Sequence, residues 1–355
     1  MTKPNSTITL ADVAEYGNLL VAHANAKRKK SFYKSVQDFE KNKEHLLREL
    51  SALLLSGNYR TSPYVVETIR DGKKERVIAK LPYYPDRIVH WAIMLQVERL
   101  FLNRFTSRSH AAIPGRGIHT ALTQVRAILK DPDMKFCLKL DIKKYFPHID
   151  HRILEDMVSR MIADEGLRKL LFEIIESAPG GNPGVPIGNY LSQYLANRYL
   201  SDFDKWLLSQ GYHFVRYMGD IAVFCKTAEE AHVLLREIEW YLARNLHLSV
   251  KENWQIFPVD SRPVDIVGYK IGRNYVSLRK STFKRLRQKC TRIQKHAAKR
   301  GYITDRERST LAAYMGWVVH CTPKCRRTIY RRYFKPAIES ANIKLSKKMR
   351  KAYGC

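Results

Sequence analysis

Between about Leu10 and Leu55 apolar residues recur at helical spacing, and Phe39, Leu46, Leu47, Leu50 and Leu53 mark the buried stripe of the second of two predicted helices. A hairpin follows: Tyr64 to Ile69 and Arg76 to Ile78 flank the turn signal Asp71-Gly72, with Lys73 and Lys74 at its tip. Asp86 to Phe105 reads as one amphipathic helix that offers Ile88, Trp91, Ala92, Leu95, Val97 and Leu100 to a core. After the break Ile113-Pro-Gly-Arg-Gly117 comes another helix, then a buried strand from Met134 to Leu140 that ends at Asp141. Helices fit Arg152 to Ala163, Leu167 to Ser177 and, past the glycine and proline cluster 179–188, Asn189 to Leu208. Phe214 to Tyr217 and Ile221 to Phe224 form a second hairpin with Met218-Gly219-Asp220 at its bend. Glu229 to Asn245 is helical, Asp265 to Ile271 and Tyr275 to Leu278 are short strands, and the remainder is mostly basic helix.

At 355 residues and 45% hydrophobic content the chain can bury a large core, which excludes intrinsic disorder and predicts two or three subdomains. Its 63 basic against 34 acidic residues give a net charge of +29, the signature of a polyanionic partner such as nucleic acid. From residue 271 to 355 there are 24 Lys and Arg against 3 Asp and Glu, so this stretch carries +21 of the total. It is the expected clamp. No apolar run is long enough to span a bilayer and residues 1–10 are polar, so a cytoplasmic protein without membrane contact is expected. Six scattered cysteines form no CxxC pair, against a disulfide framework or a zinc knuckle. His320, Cys321 and Cys325 are near in sequence but lack a fourth ligand.

Asp141 closes a strand and Asp220 sits in a hairpin turn, an arrangement in which two carboxylates from different strands can share hard divalent cations. Either aspartate alone is more often a turn residue or a helix cap. Five positions past Asp141, Phe146 can place a ring under an incoming sugar and exclude a 2′-hydroxyl. The plainer alternative is that Tyr145 and Phe146 pack the sheet edge. Gly188, at a helix entry, lets backbone approach a base pair or phosphate, although such entries are common and Asn189 suits an N-cap equally well. Arg116 is the first choice for a triphosphate, with Lys80 or Arg87 as alternatives, against a background in which most arginines are solvated. Arg279, Lys280, Lys284, Arg285, Arg287, Lys289 and Arg292 fit sequence-independent contacts to a nucleic-acid backbone.

The ordered set LKLDIKKYF, GVPIGNYLSQ and RYMGDIAVF resembles motifs A, B and C of the reverse transcriptase palm. RVIAKLPYYPDRIVHWAI and IPGRGIHTAL resemble the fingers of that family, and DIVGYKI the motif that closes the palm. The form IGxxxSQ at Ile187 to Gln193 is similar to reverse transcriptases of diversity-generating retroelements. The resemblance implies an α+β right-hand polymerase with a helical N-terminal extension (1–56), fingers (57–132), palm (133–271, part of the fingers inserted around 150–180) and a basic helical thumb with a C-terminal tail (272–355). It implies RNA-directed DNA synthesis from a template RNA and dNTPs onto a primer or cDNA duplex, error-prone in that subfamily, and a small basic oligomeric accessory protein. It also implies two Mg²⁺ ions, with Mn²⁺ as a substitute, held by Asp141, Asp220 and the backbone carbonyl of Ile142, a sugar gate at Phe146, and nucleotide contacts from Tyr145, Gly188 and Gln193.

Two positions depart from the pattern. The family's YxDD is here Tyr217-Met218-Gly219-Asp220, so Gly219 stands where a catalytic carboxylate is expected and an impaired enzyme follows. Ile113 stands where many relatives carry arginine. The alternatives are a reverse transcriptase of another lineage, antiphage or retron-like, though the valine-threonine-glycine of retron thumbs is missing, or a noncatalytic RNA-binding scaffold.

Overall fold

A computed structural model describes residues 6–71, 74–179, 181, 183–339 and 347–354. The hairpin tip Gly72 and Lys73, Gly180, residues 344–346 of the basic tail and Cys355 lie outside them. The chain divides into two units, Met1–Gly115 with Asp141–Gly211 and Leu235–Asn253, and Arg116–Leu140 with Tyr212–Leu234 and Trp254–Cys355.

The first unit is mainly helical. Where two N-terminal helices were expected there are four, Leu10–Ala14, Tyr16–Ala26, Lys34–Lys41 and Lys43–Leu55, the first break falling at Glu15, whose ψ of 134° is extended. The last of these buries Leu47, Leu50 and Leu54, while Leu46 and Leu53 are more exposed. Tyr83 bridges to this region, its hydroxyl 2.7 Å from Nδ1 of His23, whose Nε2 lies 3.0 Å from Glu40. The hairpin is longer than its apolar pattern indicated, because β1 (Val65–Asp71) and β2 (Lys74–Lys80) pair along their whole length. The predicted long helix begins with a π turn at Tyr83–Arg87 and runs from Ile88 to Leu102. Its buried residues are Ile88, Val89, His90, Ala92, Ile93, Met94, Val97 and Phe101, whereas Trp91, Leu95 and Leu100 are partly or largely exposed. The helix packs on both Tyr16–Ala26 and Tyr190–Tyr199, so it is apolar on more than one side and periodicity alone does not choose the face.

Aspartate caps set two further helices of this unit: Asp150 Oδ1 accepts from Arg152 N–H at 2.9 Å to start His151–Ser159, and Asp164 Oδ1 accepts from Leu167 N–H at 2.7 Å to start Glu165–Glu176. The expected single helix over 189–208 is two, Tyr190–Tyr199 and Ser201–Ser209. They meet at Leu200, where the Ser201 hydroxyl takes the Arg198 carbonyl at 2.8 Å and competes with the helical ladder.

The second unit is built on a four-stranded sheet of β3 (Phe136–Asp141), β4 (His213–Tyr217), β5 (Asp220–Cys225) and β6 (Gln255–Pro258), in the order β4-β5-β3-β6. β3, β4 and β5 were legible from their apolar runs. β6 was not, because four residues ending in proline, of which only Phe257 is buried, carry too little length for a pattern. A second sheet joins β7 (Val264–Ile266), β8 (Tyr269–Ile271) and β9 (Val276–Leu278) in sequence order, so the strand read as 265–271 is a tight hairpin. Gly268 makes that turn at φ +85°, and a Cβ on it would lie 2.6 Å from the Trp317 indole, which stacks on Tyr269 at 5.3 Å. One core joins both sheets to the C-terminal helices through Val215, Phe224, Tyr269, Leu286, Met315 and Phe334.

The helix Lys280–Arg300 is amphipathic in the plainest way: Thr282, Leu286, Cys290, Ile293 and Ala297 are buried, and the cations between them point outward. The next helix, Asp305–Val318, opens with a capping box in which Thr304 and Glu307 bond each other's backbone N–H. The Thr304 N–H bond, followed by His296, brings the Glu307 carboxyl down to about 2. A depressed carboxylate pKa stabilises the fold above the unfolded value, near 4.5, and that contribution fades as pH falls towards 2. Urea melts of the parent chain and Glu307→Gln should therefore differ most above pH 5 and converge on acidification from 4.5 towards 2; a difference undiminished at pH 2 would place the contribution elsewhere.

Candidate polymerase site

β3 occupies an inner position of its sheet and β5 is its hydrogen-bonded neighbour. Asp141 is the last residue of β3, and Asp220 is the first of β5, paired with Tyr217 across a two-residue turn. The sequence had put Asp220 in the bend itself; it stands one position later, on the strand. The bend is Met218-Gly219, with Met218 in the left-handed region at φ +55°. Gly219 is buried and brings no carboxylate to this position.

Each aspartate has an ammonium partner that sequence reading passed over. Asp220 pairs with Lys139, a side chain only 16% exposed, on β3. Asp141 pairs with Lys251, and its main-chain carbonyl accepts from Lys251 N–H at 2.9 Å. Ile142 continues this attachment as a buried bridge to Val250. Lys139 was readable in principle: residues two apart on a strand share a face, so Asp141 and Lys139 point the same way. Lys251 follows a loop without periodicity and carried no such signal.

Of the two aromatic residues after Asp141, Tyr145 is buried and its hydroxyl donates to the Ala196 carbonyl, the packing role. Phe146 opens a 3₁₀ turn, Phe146–His148, and stays half-buried, stacked edge-on to Tyr145 at 5.6 Å. Gly188 is at φ +127°, and a Cβ there would come within 3.0 Å of the Ala79 carbonyl oxygen and of Ile78. The close approach it permits in this structure is therefore to β2, where Ala79 N–H also donates to the Ile187 carbonyl at 3.1 Å. Asn189 occupies the N-cap position without a capping bond, its amide 3.4 Å from the Tyr64 hydroxyl. Gln193 is half-buried one turn on.

Lys80 is held by Glu67 across the β1–β2 hairpin. Arg87 turns onto the Ala26 carbonyl, Nε to O 3.3 Å. Arg116 is half-buried just before the helix Ile118–Ile128, and Ile113 is buried as an ordinary core residue. On the basic helix, Lys284, Arg285, Arg287, Lys289 and Arg292 are exposed; Arg279 is tied to Asp265 at the N-cap, with Lys280 beside it.

Comparison with known proteins decides what this arrangement belongs to. Residues 69–271 match the family described as Reverse transcriptase (RNA-dependent DNA polymerase). The chain belongs to the reverse transcriptase family. Its fold is accordingly the α+β right-hand polymerase. Protein YkfC of Escherichia coli K12 is 27% identical over 219 residues, 58% of this chain and 52% of that protein. The group II intron-encoded protein LtrA of Lactococcus lactis subsp. cremoris is 27% identical over 176 residues, 46% of this chain but 28% of LtrA, so about half or less of these relatives' length is matched. Among solved structures, apo telomerase from Candida tropicalis, truncated from its C-terminal domain, aligns with a TM-score of 0.47 at 12% identity, covering 66% of this chain and 60% of that one. A chain of a partial Cas6-RT-Cas1–Cas2 complex aligns at 0.38 and 21%, covering 69% and 44%.

Gly188→Ala should meet both a strained left-handed backbone and the Ala79 carbonyl, costing roughly 2–4 kcal/mol. Urea denaturation and proteolysis of the β1–β2 hairpin report it; wild-type stability with an uncut hairpin would show that Gly188 is not needed for this approach.

Proposed function

We propose that this reverse transcriptase copies a template RNA into cDNA within a diversity-generating retroelement and that Gly219 leaves the chain impaired. One observation carries the catalytic part: Asp141 ends β3, Asp220 opens β5, and the two strands are sheet neighbours. The subfamily rests on Ile187-Gly188-Asn189-Tyr190-Leu191-Ser192-Gln193. By the same resemblance the partners are the template RNA, the primer or cDNA duplex and a small basic accessory protein, and residues 57–132, 133–271 and 272–355 serve as fingers, palm and thumb.

The donor set fits a magnesium ion, since that metal is commonly held by one or two carboxylates and completed by substrate phosphates and water. Both side chains already attract a cation, as Lys139 and Lys251 demonstrate. Asp141 and Asp220 would hold the metal with the Ile142 carbonyl. When bound, it supplies charge stabilisation to the attacking 3′-hydroxyl oxygen and the leaving pyrophosphate. No third carboxylate completes the set, for among the described residues no three His, Cys, Asp or Glu side chains are grouped for a metal. The chain's own contribution is positional. Tyr145, anchored on Ala196, holds the turn that presents Phe146, and Phe146 acts on the sugar by bulk. Lys139 and Lys251 pair with the two carboxylates and must yield when a divalent ion enters.

A missing metal carboxylate worth several kcal/mol in the transition state corresponds to a rate loss of roughly 10² to 10⁴ fold. Primer extension on an RNA template should therefore rise by that factor in Gly219→Asp, vanish in Gly219→Asp combined with Asp141→Asn, and be matched by tighter Mn²⁺ binding followed by electron paramagnetic resonance. Equal extension rates with and without the added carboxylate would refute impairment. A noncatalytic RNA-binding scaffold is the second reading, favoured by Gly219 alone; it requires RNA retention without product even after the carboxylate is supplied.

A further inference from the structure

The basic helix Lys280–Arg300 also lines a cleft that has an aromatic wall. Arg287, Thr291, Arg292 and Lys295 follow one another along the face of the helix opposite its buried stripe, and they line an open cleft of about 560 Å³ together with Arg332 and Tyr333 from the π turn Tyr330–Phe334. None of the described residues lining the cleft is acidic. Elsewhere in the same unit three arginines are neutralised locally: Arg273 by Asp260, Arg279 by Asp265, Arg300 by Glu307. Arg287, Arg292, Lys295 and Arg332 are drawn into no ion pair among the described residues. Four cations converging on one acid-free cleft repel one another, and a polyanion is the partner that relieves the repulsion.

The aromatic ring narrows the choice. Tyr333 is half-buried, fixed edge-on by Phe283 at 5.7 Å and 79°, with the Arg332 guanidinium 5.7 Å from its centroid. A ring held rigid among cations is the combination by which proteins bind single-stranded nucleic acid, bases stacking on the aromatic face while the cations track phosphates. A duplex, whose bases are already stacked, gains nothing from the ring. We propose that this cleft is a binding site for single-stranded RNA, in which Tyr333 stacks an unpaired base and Arg287, Arg292, Lys295 and Arg332 hold the flanking phosphates. It goes beyond the copying reaction and rests on the family assignment only in taking RNA as the polyanion.

The test uses the full chain and a fluorescently labelled oligouridylate of about twelve nucleotides, its affinity followed by anisotropy across a salt series. Arg287→Gln with Arg332→Gln should weaken binding by roughly tenfold and flatten the slope of log affinity against log salt by about 1.4, the effect of two lost phosphate contacts on a single strand. Tyr333→Leu should weaken binding about tenfold at unchanged slope, and Tyr333→Phe should leave it intact. A blunt RNA duplex of the same length, which cations can grip by its backbone, should bind Tyr333→Leu like the parent. The proposal falls if the variants hold oligouridylate as tightly as the parent, if duplex binding drops in step in Tyr333→Leu, or if oligoglutamate of equal charge competes as well as RNA. Asp220→Asn should bind oligouridylate normally, so failure of the copying reading and failure of the cleft give different results.

Discussion

The seating of β3 beside β5 is the constraint from which the candidate chemistry follows. Neighbouring strands lie about 4.8 Å apart along their hydrogen bonds, and the Lys139–Asp220 pair sets the first residue of β5 beside the last residues of β3. β3 also has β6 on its other side, and the residues following it are fastened further by Lys143 N–H to Ser249 O at 2.8 Å and by the Ile142 bridge to Val250. A strand paired on both sides has little freedom to slip, and a slip of one residue would reverse every side chain on it. The strand that carries the acid is thus protected by its neighbours from the commonest error open to it.

Placing carboxylates where a cation is to bind leaves negative charge to be neutralised when the cation is absent, and here lysines do so. Lys139 is the more buried of the two, and a buried ammonium without a counterion would be costly, so the Lys139–Asp220 pair has a structural role whatever the catalytic state of the chain. With Gly219 in the turn, the ratio of ammonium groups to carboxylates around Asp220 is shifted towards the cation. That shift distinguishes this chain from the YxDD pattern more sharply than the loss of one ligand alone, because Lys139 competes for the remaining carboxylate.

Much of this was legible in the sequence, and the failures have definite causes. The strands β3, β4 and β5 showed as apolar runs because they are buried on both faces, and the acids stood out at their ends. The buried faces of Lys43–Leu55 and Ile88–Leu102 were misassigned in part, since helices with leucines all round leave the phase to their packing partners. The break at Leu200 depends on a serine hydroxyl that a propensity argument counts as merely neutral. Gly188 was noticed for its conformational freedom, but the close approach of β2 to it was not legible because β2 is distant in sequence. Lys251 and Tyr333 were invisible because their roles come from residues distant in sequence.

The basic C-terminal stretch shows how one helix meets two opposed demands. Its apolar positions, Leu286, Cys290, Ile293 and Ala297, recur every three or four residues and are enough to dock it on the core, which frees every other position for charge. Crowding so many cations onto one helix lowers the stability of the compact state through self-repulsion, and screening by salt relieves only part of it. The Thr304–Glu307 capping box, with His296 and Arg300 gathered on Glu307, neutralises the end of the helix where the next begins. Among the described residues nothing comparable is built along the face of Arg287, Arg292 and Lys295. The asymmetry follows if the charge on that face is tolerated in the free protein and satisfied only when a polyanion lies along it.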